Sequence, residues 1–176
     1  YEHNSTVLSD GNTRLQFNIK ENIQISQYAL EKLKTFSTDM AVGDWKPEVS
    51  FRQQGNLFLS DEANKANAVA GLTLQNEMNC GVEWLEPDEV VARFPLFDKS
   101  KFAGGVFGRL DGTMDPQAVL VGFQRKAIAL GATYIEAEVS EVLQADGKVK
   151  GIKLTNGDVL NAKYVINSAG AWGTKL

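Results

Sequence analysis

The last third of the chain restricts the fold more than any other segment, because turn dipeptides cut it into short apolar runs. Asp146-Gly147 and Asn156-Gly157 are typical of two-residue hairpin turns, since glycine and Asx residues accept a positive φ. We therefore predict strands over 133–136, 138–144, 149–155 and 162–168. The run over 162–168 is almost continuously apolar inside, which is typical of a strand covered on both faces.

The first two thirds of the chain combine helices with short strands. Apolar residues at near-helical spacing predict an amphipathic helix over 21–38. Capping residues and helix stops predict further helices over 61–79, 87–94 and 116–130. Turn residues around short apolar runs predict strands over 50–53, 55–60, 82–85 and 102–110. The expected fold class is therefore α/β, or mixed α+β, and Asp115 is expected to cap the last helix.

Net charge and the rare residue types exclude several function classes. The net charge is −4 and no Lys/Arg cluster exceeds two residues, which argues against nucleic acid as a partner. One cysteine, Cys80, and one histidine, His3, are too few for a zinc site of the usual kind. The single cysteine also fits a reducing compartment, so we expect a cytoplasmic protein. No apolar run reaches the ~18 residues that a transmembrane helix needs.

Two segments contain the residues best suited to binding a ligand. The strand predicted over 162–168 runs into the small residues of 169–172, and such a turn can present backbone N–H groups to a phosphate. Plain tight packing is the alternative. Residues 3–17 are dense in Ser, Thr, Asn, Asp and Gly, which suits a polar cofactor tail or a disordered terminus. Residue pattern alone leaves both alternatives open.

Four motifs, taken in order, resemble the middle of a known family. They are Ser9-Asp10-Gly11-Asn12-Thr13-Arg14, GRLDGTMDP over 108–116, AEVSEV over 137–142 and NSAGAW over 167–172. Their order and spacing are similar to those of the FAD-dependent amino-acid oxidases, which include D-amino-acid oxidase, glycine oxidase and monomeric sarcosine oxidase. The resemblance covers nearly the whole chain. It implies part of an FAD-binding Rossmann-like domain with an inserted antiparallel piece of a substrate domain.

The resemblance implies that seven residues contact the cofactor FAD. Ser9 and Asp10 would lie along it between its phosphates and its ring, and Arg14 would lie over the flavin. A guanidinium there favours the negative charge of a reduced flavin or of a bound carboxylate. Val139 would contact the adenine through its backbone N–H and C=O. The residues that would pack near the ribose and phosphates are Ala169, Gly170 and Trp172.

The resemblance also implies how the chain is divided. Residues 1–45 and 111–176 would be pieces of the FAD domain, and 46–110 a piece of the substrate domain. No G-x-G-x-x-G turn stands in the 176 residues, so the chain is interpreted as an internal fragment that also lacks the family's C-terminal third. Such a piece is expected to bind FAD weakly or not at all and to be inactive alone. A sheet without its first strand exposes an edge, which favours a homo-oligomer.

Three functions are compatible with these observations. In the first, the parent protein uses FAD to oxidise the C–N bond of an amino acid or N-methylated amine. In the second, a protein of the same fold binds FAD for assembly or electron transfer and does not turn over a small amine. In the third, the chain is an α+β binding module without a cofactor. The pattern assigns no catalytic residue.

Overall fold

The structure, a computed structural model, describes residues 4–175, so His3 lies outside the described part. Four α-helices are present in this part: α1 (Lys20–Asp39), α2 (Glu62–Glu77), α3 (Pro87–Arg93) and α4 (Pro116–Ala129). Short 3-10 helices cover Lys99–Lys101 and Gly170–Lys175. All four α-helices lie where the sequence predicts them, to within two residues at each end.

The described strands form three antiparallel sheets. The eight strands are β1 (Asn12–Thr13), β2 (Asn56–Ser60), β3 (Val82–Leu85), β4 (Gly104–Gly108), β5 (Gly112–Thr113), β6 (Val139–Ala145), β7 (Lys148–Leu154) and β8 (Val159–Asn161). β1 pairs with β5, the second sheet has the order β2-β4-β3, and the third has the order β6-β7-β8. The chain divides into two compact units, and the boundary along the sequence falls between Ala132 and Thr133. The fold is therefore mixed α/β, as predicted.

The core of the first unit forms where one face of α1 meets the sheet β2-β4-β3. Helix α1 buries apolar residues at helical spacing, namely Ile23, Leu30, Leu33 and Phe36. Its first three pack in one cluster with Leu15, Cys80, Val82 and Val106. The Phe36 ring meets Phe123 of α4 edge to face, with centroids 5.1 Å apart. This packing fixes the segment around Leu15, which continues directly from β1.

Side-chain caps begin two of the helices, as the sequence predicts. The Asp115 carboxylate accepts hydrogen bonds from the backbone N–H groups of Gln117 and Ala118 at the start of α4. The Asp61 carboxylate accepts from Asn64 N–H at the start of α2. Each carboxylate satisfies donors that have no partner inside the helix. Asp115 is therefore a cap, in agreement with the sequence analysis.

Three predicted strands are wrong. Residues 133–136 and 162–168 form no strand, and 50–53 forms only a single bridge between Arg52 and Thr113. Within 162–168, Tyr164 is 87% exposed and Ile166 is 89% exposed, so this segment is not covered on both faces. An apolar pattern shows that a segment suits a strand, but a strand forms only where a second backbone lies beside it.

Among the described residues, none of the helices combines the length and the apolar character that a membrane span requires.

Candidate functional site

The first unit contains a cleft of about 620 Å³, which we call the Arg14 cleft. It lies where the loop before α1 passes strand β2. Its lining residues are Asp10, Asn12, Thr13, Arg14, Phe17, Ser26, Ala29, Asn56, Leu57 and Phe58. Its volume is within the range that is typical of ligand sites. Its lining also resembles theirs, since it combines apolar walls with a few polar groups.

The loop that leads into this cleft is held by local hydrogen bonds. Ser9 Oγ accepts from Gly11 N–H at 3.0 Å, and Asp10 Oδ1 accepts from Asn12 N–H at 3.2 Å. Gly11 has a φ of +68°, and a Cβ there would lie 2.0 Å from the carbonyl oxygen of Met114. Only glycine fits this close approach. The structure thus places Ser9 beside the cleft and Asp10 in its lining, both exposed.

Arg14 is exposed, and its guanidinium stacks on two aromatic rings. Its Cζ lies 4.7 Å from the centroid of Phe17 and 5.3 Å from that of Phe58. Within residues 4–175, no carboxylate lies within ion-pairing distance of this guanidinium. The rings hold the side chain by cation–π attraction and leave its N–H donors for another group. An anion in the cleft, such as a carboxylate, is the matching partner.

A buried carboxylate, Asp111, lies behind the cleft, and the sequence analysis missed it. Asp111 is 0% exposed. Its Oδ1 accepts from Leu15 N–H at 2.7 Å, and its Oδ2 accepts from Gln16 Nε2 at 2.8 Å. Burial raises the pKa of this carboxyl above its ordinary value, while those hydrogen bonds and the charge of Arg14 oppose the shift. In the sequence, Asp111 precedes a glycine between β4 and β5, so it reads as an ordinary turn residue.

Two asparagines complete the polar side of the Arg14 cleft. Asn12 Nδ2 donates to Asn56 Oδ1 at 2.8 Å, and Asn56 Nδ2 donates to Asn12 Oδ1 at 3.0 Å. Asn56 Nδ2 also lies 3.4 Å from Asp111 Oδ2. This reciprocal amide pair joins the loop before α1 to strand β2. The sequence analysis did not single out Asn56, because its partners lie 44 and 55 residues away along the chain.

The second unit contains its own cleft of about 610 Å³, which we call the Trp172 cleft. Its lining residues are Ala137, Glu138, Val139, Ser140, Thr155, Ala169, Trp172 and Lys175. The structure therefore brings three of the predicted cofactor residues together, although Val139 lies 30 or more residues before the other two. Gly170 lies next to Ala169, with a φ of +57° and open space where a Cβ would be.

Strand β6, which begins at Val139, is an edge strand. The order β6-β7-β8 leaves one side of β6 without a neighbouring strand in the described sheet. Backbone N–H and C=O groups on such an edge are available to a ligand. This arrangement suits the predicted contact between Val139 and the adenine of FAD. Asn167 supports the opposite wall, since its Oδ1 accepts from Ala169 N–H at 3.1 Å and its Nδ2 donates to Gly173 O at 2.8 Å.

The single cysteine, Cys80, has a structural role in the core. Cys80 is fully buried, and burial raises the pKa of its thiol, so little of it is the nucleophilic thiolate near neutral pH. The described residues contain no cluster of three or more acidic, His or Cys side chains that could hold a metal ion. The aromatic residues that line the Arg14 cleft are Phe17 and Phe58.

Comparison with known proteins gives one family. The family described as FAD dependent oxidoreductase, DAO, matches residues 2–176. A curated relative from Xenopus laevis, FAD-dependent oxidoreductase domain-containing protein 1, is 29% identical over 196 aligned residues. That alignment includes 100% of this chain and 39% of the relative, so the chain spans about two fifths of the relative's length.

Solved structures show the same fold. L-proline dehydrogenase from P. horikoshii has a TM-score of 0.81 and 27% identity, over 98% of this chain and 44% of that chain. Glycine oxidase from Geobacillus kaustophilus has a TM-score of 0.80 and 16% identity, over 99% of this chain and 47% of that chain. At 16% identity, the similarity to this glycine oxidase shows a shared fold and nothing more.

Proposed function

The chain belongs to the FAD dependent oxidoreductase family, and from that premise we propose that the whole protein oxidises the C–N bond of an amino acid or N-methylated amine. FAD is the family's cofactor, and when bound it accepts the hydride equivalent that leaves the substrate carbon. Membership of this family removes the third alternative, a binding module without a cofactor.

The proposed substrate class rests on the surroundings of Arg14. Its guanidinium lines a cleft and stacks on two rings. Among the described residues it has no carboxylate partner. A substrate carboxylate would supply that partner and would fix the neighbouring amine in one orientation. Proline and glycine, the amino acids named for two proteins of the same fold, both carry an amine one carbon from a carboxylate. We therefore place the substrate among α-amino acids and their N-alkyl derivatives.

Seven residues are proposed to contact FAD. Ser9, Asp10 and Arg14 belong to the loop of the Arg14 cleft. The Trp172 cleft contributes Val139, Ala169 and Trp172, with Gly170 beside it. Each cleft combines polar groups with an aromatic wall, which fits a cofactor that has both phosphates and flat rings.

An alternative proposal is that the protein binds FAD for assembly or electron transfer. The name of the curated relative, FAD-dependent oxidoreductase domain-containing protein 1, is compatible with it. The division into FAD-domain pieces (1–45 and 111–176) and a substrate-domain piece (46–110) stays a prediction. So do a homo-oligomer, a cytoplasmic location and the weak FAD binding of the 176-residue chain alone.

Substitution of Arg14 in the full-length protein tests the proposal. Arg14→Ala should raise KM for amino-acid substrates about tenfold to a hundredfold, because a charged hydrogen bond to the carboxylate is lost. It should change KM little for the matching amines without a carboxylate, such as pyrrolidine for proline.

Arg125→Ala is the matched control, because Arg125 also stacks on a ring, at 4.4 Å from Trp45, but does not line the cleft. Equal effects of the two substitutions, or equal effects of Arg14→Ala on both substrate types, would reject the proposed role of Arg14. Absence of turnover with any amine, in a protein that holds FAD, would favour the alternative.

A further inference from the structure

Asp111 is the one fully buried charged side chain among the described residues, and it joins segments that are distant in the sequence. It accepts from Leu15 N–H and from Gln16 Nε2 on the loop before α1, and it contacts Asn56 Nδ2 on β2. Both segments line the Arg14 cleft. A buried carboxylate costs free energy unless its oxygens are well satisfied, so three donors converging on one carboxylate are unusual for a mere turn.

We propose that Asp111 is a positioning residue, which holds the Arg14 loop and Asn56 in the single arrangement that presents the Arg14 guanidinium to a carboxylate substrate. The inference rests on the proposed function for its substrate class. Asp111 itself is fully buried and lies behind the lining, so it acts through its neighbours.

Hydrogen-bond polarity explains why a carboxylate is needed at this position. An ionised carboxylate only accepts hydrogen bonds, so it orients Gln16 and Asn56 with their NH₂ groups inward. Asn56 then turns its Oδ1 towards Asn12 Nδ2, which completes the reciprocal amide pair. An amide at position 111 would place its own NH₂ group against one or more of these donors. At least one neighbouring amide would have to rotate, which would break the pair.

Backbone geometry extends this control to Arg14. Leu15 N–H, the donor at 2.7 Å, belongs to the peptide bond that follows Arg14. Leu15 is 2% exposed in the core, so the carboxylate and the core together fix the backbone just after Arg14. Arg14 is the charged group that acts on Asp111, and its positive charge favours the ionised carboxylate. Asp111 in turn contributes to the raised pKa of the neighbouring Cys80 thiol.

NMR of the full 176-residue chain, without FAD or substrate, tests the proposal. The signals to follow are the backbone N–H of Leu15, the side-chain NH₂ of Asn12 and Asn56, and the Nε–H of Arg14. In Asp111→Asn, exchange of the Asn56 NH₂ protons with water should become about fivefold faster, and the Arg14 Nε–H signal should shift. Asp115→Asn is the matched control, since it makes the same chemical change at an exposed helix cap.

If Asp111→Asn changes these signals no more than the Asp115→Asn control does, the proposal is overturned. If Asp111→Asn does not fold, an acid titration of the wild-type chain decides instead. Protonation of Asp111 should then move the Leu15, Asn56 and Arg14 signals with one common midpoint. A Leu15 signal that moves while Arg14 and Asn56 stay unchanged would contradict the positioning role. Neither measurement uses flavin or turnover. A failure of the positioning proposal can therefore be distinguished from a failure of the proposed function.

Discussion

The guanidinium carbon of Arg14 lies 4.7 Å from the centre of the Phe17 ring, and Phe58 lies at 5.3 Å from the same carbon. Two rings on one exposed cation restrict its rotamers before any ligand binds. The cleft is thereby prepared for an anion at small entropic cost. This relationship leads to the first prediction.

Phe17→Leu should weaken binding of an amino-acid substrate to the full-length protein. Loss of one cation–π contact of about 0.5–1 kcal/mol predicts a KM about twofold to fivefold higher, with kcat little changed. Tyr28→Leu is the control, since it removes the ring under Lys32 on α1 outside the cleft lining. A fall in kcat with unchanged KM would contradict this account of the Arg14 stack.

Gly11→Ala should destabilise the chain more than Gly147→Ala does. The two glycines have nearly equal φ, +68° and +69°, so the backbone strain of alanine is similar at both. A Cβ at Gly11 would meet the Met114 carbonyl oxygen at 2.0 Å, whereas nothing lies within 4 Å at Gly147. We expect a loss of about 1 kcal/mol at Gly147 and clearly more at Gly11, measured by urea unfolding. Equal losses would show that the contact with Met114 O does not constrain the loop.

Asp115→Ala should lower the free energy of unfolding by about 1 kcal/mol, because two N–H donors of α4 lose their acceptor. Asp98→Ala should cost less, since Asp98 accepts from only one backbone donor, Ser100 N–H, at a three-residue 3-10 helix. Urea unfolding of the two variants checks the order. An Asp115→Ala variant as stable as wild type would contradict its role as a cap.

Much of the helical structure is predictable from the sequence, because its signals are local. The cap Asp115 and the apolar stripe of α1 are examples, since each acts within one or two turns of its own helix. The wrong strands over 133–136 and 162–168 have the opposite cause. Their apolar residues suit a strand, but pairing depends on a second backbone that the pattern of the segment itself cannot specify.

The candidate site divides in the same way. The loop of Ser9, Asp10 and Arg14 is visible as a motif, and the structure places Asp10 and Arg14 in one cleft. Asp111 and Asn56 could not be predicted, because their importance arises from contacts between segments about 40 to 96 residues apart. A polar residue in a turn looks the same in the sequence whether it is exposed or buried.

The stability of the chain should depend on pH through Asp111 with a defined sign. Burial raises the pKa of this carboxyl in the folded state above its ordinary value. The folded state therefore binds the proton more tightly than the unfolded state does. The stability that Asp111 contributes is fully present below the unfolded-state pKa, and it is lost as the pH rises through the raised folded-state pKa.

Unfolding by urea from about pH 3 to about pH 7, for wild type and Asp111→Asn, measures this dependence. The difference in free energy of unfolding, wild type minus variant, should fall as the pH rises. The comparison cancels the other carboxylates, which titrate in both proteins. A difference that rises with pH would mean that the hydrogen bonds from Leu15, Gln16 and Asn56 outweigh the burial of the charge.

The most direct test of the proposed function is the visible absorption of the full-length protein with bound FAD, recorded without oxygen before and after addition of an amine. We predict loss of the oxidised flavin band near ~450 nm with one or more α-amino acids or N-methylated amino acids, because the substrate's hydride equivalent reduces the flavin. The Arg14→Ala variant should need an amino-acid concentration at least about tenfold higher to reduce the flavin to the same extent. A flavin band that stays unchanged across glycine, sarcosine, proline and the other common amino acids would contradict amine oxidation.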